Sequence, residues 1–467
     1  MRFRSSVPRG LAALAVAALV AAGCSSGGGD TTAAGGADPS QCPTDALASA
    51  DGPVEIEFWH ARTASNEETL EEMVADYNDS QDQVQVDLVF TGSYNETLDR
   101  YLTALRGGDL PDLVQLEETA LQLMVDSQSA VPAEACVDSS GYDLSDHLPR
   151  VIDQFTVEDV LWPMPFNVSN PVLYYNKTAF SAAGLDPASP PQTLDEITEA
   201  ARALVDSGAT RSGFSLEVQA WYPEQWLSKA GQTVVDEENG RVARANEATL
   251  ENPAGEDVFE WISTMTGEGL AVSVGRNPSG ADHLLAIATN DAGMTIGTSA
   301  ALGSIYDVLD AGDFPDVDLG VAPLPGEDVG GVTVGGAALW LVNESSPEEI
   351  AASWDFVTWL NEPEQLARWH TGTGYIPTTG ASALQPEVTE LWAERPGFEV
   401  AYRQITEGGP PPGGGGAVIG GYPEFRDVIQ LAIERIVLEG QDPAEALAQA
   451  QAEATAAIQE YNSRVGE

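Results

Sequence analysis

Apolar residues near the start of the globular part alternate with polar ones and then change to helical spacing. Val54, Ile56 and Phe58 alternate as in a strand, and the next segment places its apolar residues on one helical face. The same order repeats over 84–108, and a third, apolar strand follows at 111–116. This βαβαβ order predicts a mostly parallel sheet flanked by helices, with ligands at the carboxyl ends of its strands. Those ends lie near His60, Tyr94 and the pair Glu117-Glu118.

A different pattern occupies residues 161–177, LWPMPFNVSNPVLYYNK. It has a polar middle, two prolines before that middle, and the strand-like run VLYYN at its end. Proline is a poor residue for a central strand, whereas the final run favours one. We interpret the segment as a crossover between two lobes, with side chains in the cleft between them.

The later chain continues with strands and capped helices. Apolar segments at 291–299, 317–324 and 332–342 predict strands, and GTGYIP at 372–377 predicts a tight turn that displays Tyr375. We assign residues 52–163 and 291–340 to one lobe. Residues 164–290 and 341–467 are assigned to the other.

The chain is strongly acidic, and this excludes some partners. Its 73 acidic and 20 basic residues give a formal net charge of −53. Such a surface repels phosphate backbones and anionic lipid headgroups, so we expect no nucleic-acid binding and no electrostatic membrane docking. The length of 467 residues predicts about two domains.

The N-terminus has the pattern of a bacterial lipoprotein signal. Three arginines precede a short apolar run at 11–22, which meets Gly23-Cys24. Cysteine after Ala-Ala-Gly resembles the lipobox, so we read 1–23 as a signal peptide and Cys24 as the lipidated first residue. Residues 24–51 are then assigned to the lipidated cysteine and a flexible tether rich in glycine and serine. This predicts a protein held by lipid on the extracellular face of the cytoplasmic membrane.

Two further cysteines remain, Cys42 and Cys136. Outside the membrane, two remaining cysteines are compatible with one disulfide, and two unrelated buried thiols are the alternative.

Several motifs in a fixed order resemble the extracellular solute-binding proteins of bacterial ABC importers, the family of the maltose-binding type. They are FWH at 58–60, PDL at 111–113, the crossover segment, GGAALW at 335–340 and TGYIP at 373–377. The resemblance covers nearly all of the mature chain and is greatest to the glycerol-3-phosphate-binding members. It implies an α/β fold of two lobes, each a mostly parallel sheet flanked by helices and joined by crossover hinge strands.

The resemblance also implies a ligand site that grips a polyol with carboxylate, hydroxyl and phenol groups. The matching residues are Tyr94, Glu118, Ser169, Trp221, Ser299, Gly336 and Tyr375. Phosphate-binding members carry an arginine where this chain has Val418, and valine makes none of the bidentate contacts of a guanidinium. Arg62, between the first strand and its helix, is the candidate substitute. A neutral sugar is the more economical ligand, with glycerol-3-phosphate or a glycerophosphodiester as the alternatives.

The resulting hypothesis is a monomeric binding protein that closes over a small solute and presents it to a membrane permease. A lipid-anchored glycoside hydrolase is the second hypothesis, although the sequence has neither a GxSxG nor an HExxH motif. A binding protein that serves a sensor receptor is the third. We expect neither a cofactor nor a metal.

Overall fold

The computed structural model describes residues 36–277, 280–312 and 314–466. Its strands, in chain order, are β1 Val54–His60, β2 Val84–Phe90, β3 Leu113–Glu117, β4 Ala130–Val131, β5 Thr156–Val157, β6 Val160–Leu161, β7 Met164–Ser169, β8 Pro171–Asn176, β9 Ser212–Glu217, β10 Ala271–Gly275, β11 Ala292–Thr298, β12 Leu319–Pro323 and β13 Gly335–Val342. Its α-helices are α1 Ala64–Ser80, α2 Tyr94–Gly107, α3 Leu121–Ser127, α4 Ala133–Ser140, α5 Pro149–Phe155, α6 Lys177–Ala182, α7 Leu194–Ser207, α8 Trp221–Lys229, α9 Asp236–Gly240, α10 Pro253–Gly267, α11 Asp282–Ala288, α12 Leu302–Asp310, α13 Pro347–Leu360, α14 Pro363–Thr373, α15 Gly380–Ala383, α16 Pro386–Glu394, α17 Gly397–Glu407, α18 Tyr422–Glu434 and α19 Pro443–Val465.

The first sheet has the strand order β2-β1-β3-β13-β4, and β7 also pairs with β13. β1 is parallel to β2 and β3, whereas β13 is antiparallel to β3, β4 and β7. The βαβαβ unit predicted for 54–117 is therefore confirmed. Pro165 lies in β7, which pairs only with β13, and such an edge position tolerates a residue without an N–H donor.

The second sheet has the order β10-β9-β11-β8-β12. β9 is parallel to β10 and β11, and β8 lies antiparallel between β11 and β12. Every residue of β8 and β9 is buried, because strands and helices cover both faces of this sheet. We call the part of the protein built on the first sheet the first lobe, and that built on the second sheet the second lobe.

The chain crosses from the first sheet to the second within the predicted crossover segment. β7 ends the first sheet at Ser169 and β8 begins the second at Pro171, so that only Asn170 lies between them. A second crossover follows β11, where the Ser299 N–H donates to the Asn170 carbonyl oxygen at 3.0 Å. The two connections are thus hydrogen-bonded to each other, as expected of neighbouring hinge strands.

The lobe boundaries assigned from the sequence require correction. β7 belongs to the first sheet although 164–290 was assigned to the other lobe, and β11 and β12 belong to the second sheet although 291–340 was assigned to the first. Residues 341–467 are also divided. Phe356 of α13 lies 6.0 Å from Phe58 of β1 between ring centroids, whereas Phe425 of α18 packs in the second lobe. Buried strands are apolar on both faces, so their pattern does not indicate which sheet they join.

Cys42 and Cys136 form a disulfide with a Cα–Cα distance of 4.9 Å, which decides between the two alternatives above. It ties the short 3-10 turns that precede β1 to α4. Cys24, the signal peptide and the first part of the tether lie outside the described residues. Within the described part of the chain, every helix is too short or too polar to span a bilayer.

Candidate ligand-binding cleft

Strands β3 and β7 and the segment after β1 bring a buried arginine and two buried amides together. Arg62 Nε donates to Gln115 Oε1 at 3.0 Å, and Gln115 Nε2 donates to Asn167 Oδ1 at 2.9 Å. Asn167 Nδ2 continues to the Tyr94 hydroxyl at 2.9 Å, and Arg62 Nη1 donates to the Tyr375 hydroxyl. We call these five residues the Arg62 network. It joins three of the predicted site residues, Arg62, Tyr94 and Tyr375.

Electrostatics keep Arg62 charged and Tyr94 neutral. Burial lowers the pKa of Arg62, but Tyr375, Tyr94 and Glu117 outweigh that effect and leave its pKa raised. Burial, opposed by the Arg62 charge, raises the pKa of Tyr94 well above its usual value. The guanidinium also lies 4.5 Å from the Tyr94 ring centroid, within cation–π range. The phenol of Tyr94 therefore stays protonated and is able to donate a hydrogen bond.

A second cluster joins the two lobes around Arg426 of α18. Its Nη2 donates to Glu118 Oε1 and to Glu224 Oε2, each at 2.9 Å, and its Nη1 lies 3.6 Å from Glu117 Oε2. The Tyr422 hydroxyl also donates to Glu224 Oε2, at 3.2 Å. Glu117 ends β3 and Glu118 follows it in the first lobe, whereas Glu224 and Tyr422 belong to the second. We call these five residues the Arg426 cluster.

Glu118 is the member of the Arg426 cluster with an open hydrogen-bonding position. It is 6% exposed, and its Oε2 has no hydrogen-bond partner among the described residues. Burial, and then the neighbouring charge of Glu117, raises the pKa of Glu118 to about 8 although Arg426 opposes the shift. A buried polar atom without a partner is costly unless something else satisfies it. Glu118 Oε2 is thus suited to a hydroxyl group of a bound molecule.

Trp221 contacts the first lobe through glycine backbone. It begins α8 in the second lobe, and a Cβ built on Gly335 of β13 would lie 2.5 Å from Trp221 Cζ2. Gly335 is paired with Ser169, the last residue of β7, and the next residue, Gly336, has φ +102°. Only glycine adopts that conformation readily. The indole therefore rests directly on the strand edge that carries the predicted residues Ser169 and Gly336.

Ser299 and Val418 lie outside both clusters. Ser299 is fully buried at the second crossover, and among the described residues its Oγ has no hydrogen-bond partner. Val418 is 3% exposed and belongs to an apolar cluster that otherwise consists of first-lobe residues, including Trp59 and Trp340. At this position the lobes therefore meet through apolar contact, where an arginine would carry a charge.

Several polar residues of the cleft were missed from the sequence, namely Gln115, Glu224 and Arg426. Gln115 interrupts the apolar strand Leu113–Glu117, and a polar residue inside a buried strand is a usable signal. Arg426 follows Tyr422 by one helical turn, and its guanidinium carbon lies 4.9 Å from the Tyr422 ring centroid. Nothing in the local sequence, however, identifies its acidic partners.

Over residues 36–277, 280–312 and 314–466, no group of three or more His, Cys, Asp and Glu side chains is placed to hold a metal ion.

Two α/β lobes joined by crossover strands, with polar clusters between them, define the class of two-lobed binding proteins. A model of the bacterial extracellular solute-binding protein family matches residues 72–397, and this chain belongs to that family. Its members are substrate-binding proteins rather than enzymes, and they work with ABC permeases. The hydrolase hypothesis is therefore excluded.

Curated relatives extend over most of the chain. The sn-glycerol-3-phosphate-binding periplasmic protein UgpB of Rhizobium meliloti (strain 1021) is 29% identical over 417 residues, which cover 88% of this chain and 95% of the relative. The protein of that name from Brucella abortus (strain 2308) is 28% identical over 412 residues, covering 86% and 93%.

Solved structures show the same fold. UgpB from Mycobacterium tuberculosis in complex with glycerophosphocholine has a TM-score of 0.73 and 22% identity, covering 88% of this chain and 100% of that one. The cyclic alpha-maltosyl-1,6-maltose binding protein from Arthrobacter globiformis has a TM-score of 0.71, also with 22% identity and the same coverages. The two-lobed fold expected from the sequence is thus confirmed.

Proposed function

We propose that this protein captures a small polyhydroxylated solute between the Arg62 network and the Arg426 cluster. The observation that carries the proposal is the unpaired Glu118 Oε2, a buried polar atom on a first-lobe side chain that already binds Arg426 of the second lobe. The phenols of Tyr94 and Tyr375 supply further hydrogen-bonding groups, and Trp221 supplies an apolar face for the carbon side of a sugar. The names of the relatives, which bind glycerol-3-phosphate or maltose-type sugars, support the same class.

Within this class, the charge of the cleft favours a neutral sugar. At neutral pH the carboxylates of Glu117 and Glu224 balance the two guanidinium groups of Arg62 and Arg426, because Glu118, with a pKa of about 8, is mostly protonated. Both guanidinium groups already donate to protein acceptors, and Val418 stands where phosphate-binding members carry their arginine. A phosphate monoester would meet these carboxylates without gaining a new bidentate partner.

A thermal-shift panel tests the ligand class. The protein is heated with glycerol-3-phosphate, glycerophosphodiesters, or neutral mono- and disaccharides. A ligand at about 100 times its dissociation constant stabilises by roughly 2.7 kcal/mol, so a binder is detectable. We expect a neutral sugar to raise the melting temperature. A shift by phosphate compounds alone contradicts the neutral ligand, and Arg62→Gln then tests whether Arg62 has replaced the missing arginine.

In this proposal, the protein binds its solute by hinge closure at the two crossovers. Ligand contacts to both lobes exist only in the closed form, so the ligand shifts the population toward it. Small-angle scattering of the protein with saturating sugar should show a smaller radius of gyration than without it. Identical dimensions at saturation count against closure.

In the same proposal, the protein is a monomer anchored to the membrane by lipid. Lipid on Cys24 and the part of the tether before the disulfide-bonded Cys42 would hold the lobes on the extracellular face of the cytoplasmic membrane, beside the permease. Cys24→Ala should move the protein from the membrane fraction to the medium, and light scattering should give the mass of one chain.

A further inference from the structure

An apolar groove opens beside the Arg62 network. It encloses about 440 Å³ between α11 of the second lobe and α12 of the first. Aliphatic side chains from the two helices line it, namely Leu284, Leu285, Ile287, Ile305, Val308 and Leu309. We call this cavity the α11–α12 groove. Its chemistry differs from the hydrogen-bonding groups of the cleft.

The α11–α12 groove shares one wall with the candidate ligand site. Arg62, Tyr94 and Tyr375 line part of it, and these three residues are also members of the Arg62 network. A molecule held by the network therefore adjoins the groove at this wall. The two spaces form one continuous site, polar at one end and aliphatic at the other.

The groove leaves apolar surface in water on a very acidic protein. Leu285 is 45% exposed and Val308 is 40% exposed, and they face the same opening from opposite helices. Scattered single apolar residues on a surface are ordinary, but a contiguous apolar patch marks a binding site. Continuity with the Arg62 network identifies the bound solute, rather than a separate macromolecule, as the molecule that covers it.

We propose that the solute is amphipathic, with a polar head in the cleft and an aliphatic chain in the α11–α12 groove. This inference rests on the proposed function, because the Arg62 network must hold the head. Binding of each added methylene removes apolar area from water, which is worth about 0.8 kcal/mol or roughly a fourfold gain in affinity. The gain should continue with chain length until the groove is filled.

Two homologous series of ligands test the proposal by calorimetry on the purified protein. The first contains methyl, butyl and hexyl β-glucosides, and the second contains glycerol-3-phosphate with its butyl and hexyl ethers. We expect affinity within one series to rise about fourfold per methylene, with a negative heat-capacity change that grows with length.

Substitutions in the α11–α12 groove test whether the aliphatic chain binds there. Leu285→Asp and Val308→Asp place a carboxylate in the groove at partly exposed positions, so both should fold, and each should abolish the dependence of affinity on chain length. Leu384→Asp is the matched control, because Leu384 is 77% exposed and lies away from the groove. It should leave the length dependence unchanged.

The outcomes separate the two proposals. Binding of the short members with no gain along either series overturns the aliphatic groove and leaves the proposed head site standing. Binding of long members alone supports the groove and contradicts the head site. No binding in either series overturns both. If Leu285→Asp impairs uptake by cells but not the length dependence, the groove faces the permease and our inference is wrong.

Discussion

Arg426 Nη2 and Glu118 Oε1 lie 2.9 Å apart, and the two residues belong to different lobes. Their side chains are 11% and 6% exposed, so the pair is shielded from water. Glu224, from the same lobe as Arg426, fixes the guanidinium through two of its nitrogens. Arg426 is therefore held in place by the second lobe and meets the first lobe at Glu118. The pair can form only when the lobes are together.

Replacing Arg426 should weaken closure. Arg426→Met leaves Glu117, Glu118 and Glu224 facing one another without a counter-charge, and breaking a buried pair in this way costs about 3–5 kcal/mol. We expect a larger radius of gyration without ligand and at least a tenfold loss of sugar affinity. Arg403→Met is the control, because the Arg403–Glu407 pair is 54% and 61% exposed. Equal effects of the two variants would contradict a specific role for Arg426.

The raised pKa of Glu118 predicts that stability falls as pH rises. Its pKa is about 8 in the folded protein, against an ordinary value of 4.5. Between these values the folded state binds more protons than the unfolded state, so the free energy of unfolding decreases with increasing pH. Glu118→Gln removes this titration. The variant should be more stable than the wild type near pH 8, and its advantage should vanish below the ordinary pKa of the carboxyl group.

Above pH 8, where Glu118 is ionised, the same Glu118→Gln variant should bind sugar less tightly, because an amide oxygen accepts a weaker hydrogen bond than a carboxylate. Urea unfolding over the pH range and calorimetry of sugar binding are the two measurements. A pH profile identical to that of the wild type would mean that Glu118 titrates normally.

The buried histidines have the opposite effect on stability, which they lower as pH falls. All four, His60, His147, His283 and His370, have lowered pKa values because burial disfavours their charged form. His370 is the best defined, since its Nε2 accepts from Trp392 Nε1 at 2.8 Å. Its Nδ1 therefore carries the proton and donates to the Tyr375 carbonyl oxygen at 2.6 Å. This neutral form supports the turn that displays Tyr375.

For His370 the pKa is about 4, below its ordinary 6.5, so the unfolded state binds the extra proton first. The resulting stability is complete above pH 6.5 and is lost as pH falls toward 4. The His370 ring signals in NMR should stay unchanged down to about pH 4. In Trp392→Phe, Nε2 loses its donor, and the midpoint should move upward. A wild-type midpoint near 6.5 would contradict the lowered pKa of His370.

The disulfide should contribute a large part of the stability of the first lobe. Cys42 and Cys136 are 94 residues apart, and closing a loop of that length reduces the entropy of the unfolded chain. The loop model gives about 4–5 kcal/mol, which reduction should remove in urea unfolding. The double variant Cys42→Ala, Cys136→Ala should have the same free energy of unfolding as the reduced protein, and reductant should not change it. Unchanged unfolding after reduction would show that core packing alone holds the N-terminal turns.

Sequence patterns predicted the elements better than their assembly. The first lobe's β1, α1 and β2 were predictable because apolar spacing changes from two to about 3.6 residues between them. The crossover at Asn170 was predictable from polar residues between two strand-like runs. By contrast, β11 and β12 are apolar on both faces, and their sheet was assigned wrongly. Arg426 and Glu118 are 308 residues apart, and no local pattern links them.

Gly335 makes another contact that no local sequence pattern reveals. It lies in the GGAALW motif, and the structure places the Trp221 indole directly against it. In Gly335→Ala the new Cβ would lie 2.5 Å from Trp221 Cζ2, so the indole must move. We expect a shifted tryptophan fluorescence maximum and about a tenfold loss of sugar affinity. Gly107→Ala, at a helix end with open space around it, is the control.

A double-mutant cycle separates this contact from other effects of the Gly335 substitution. If the clash with the indole is the cause, adding Gly335→Ala to Trp221→Ala should cost little beyond Trp221→Ala alone, because the methyl group then has room. If the two losses simply add, the alanine acts on the β7–β13 pairing at Ser169 instead. The first result makes Trp221 the residue through which Gly335 affects binding, and the second makes the strand edge itself responsible.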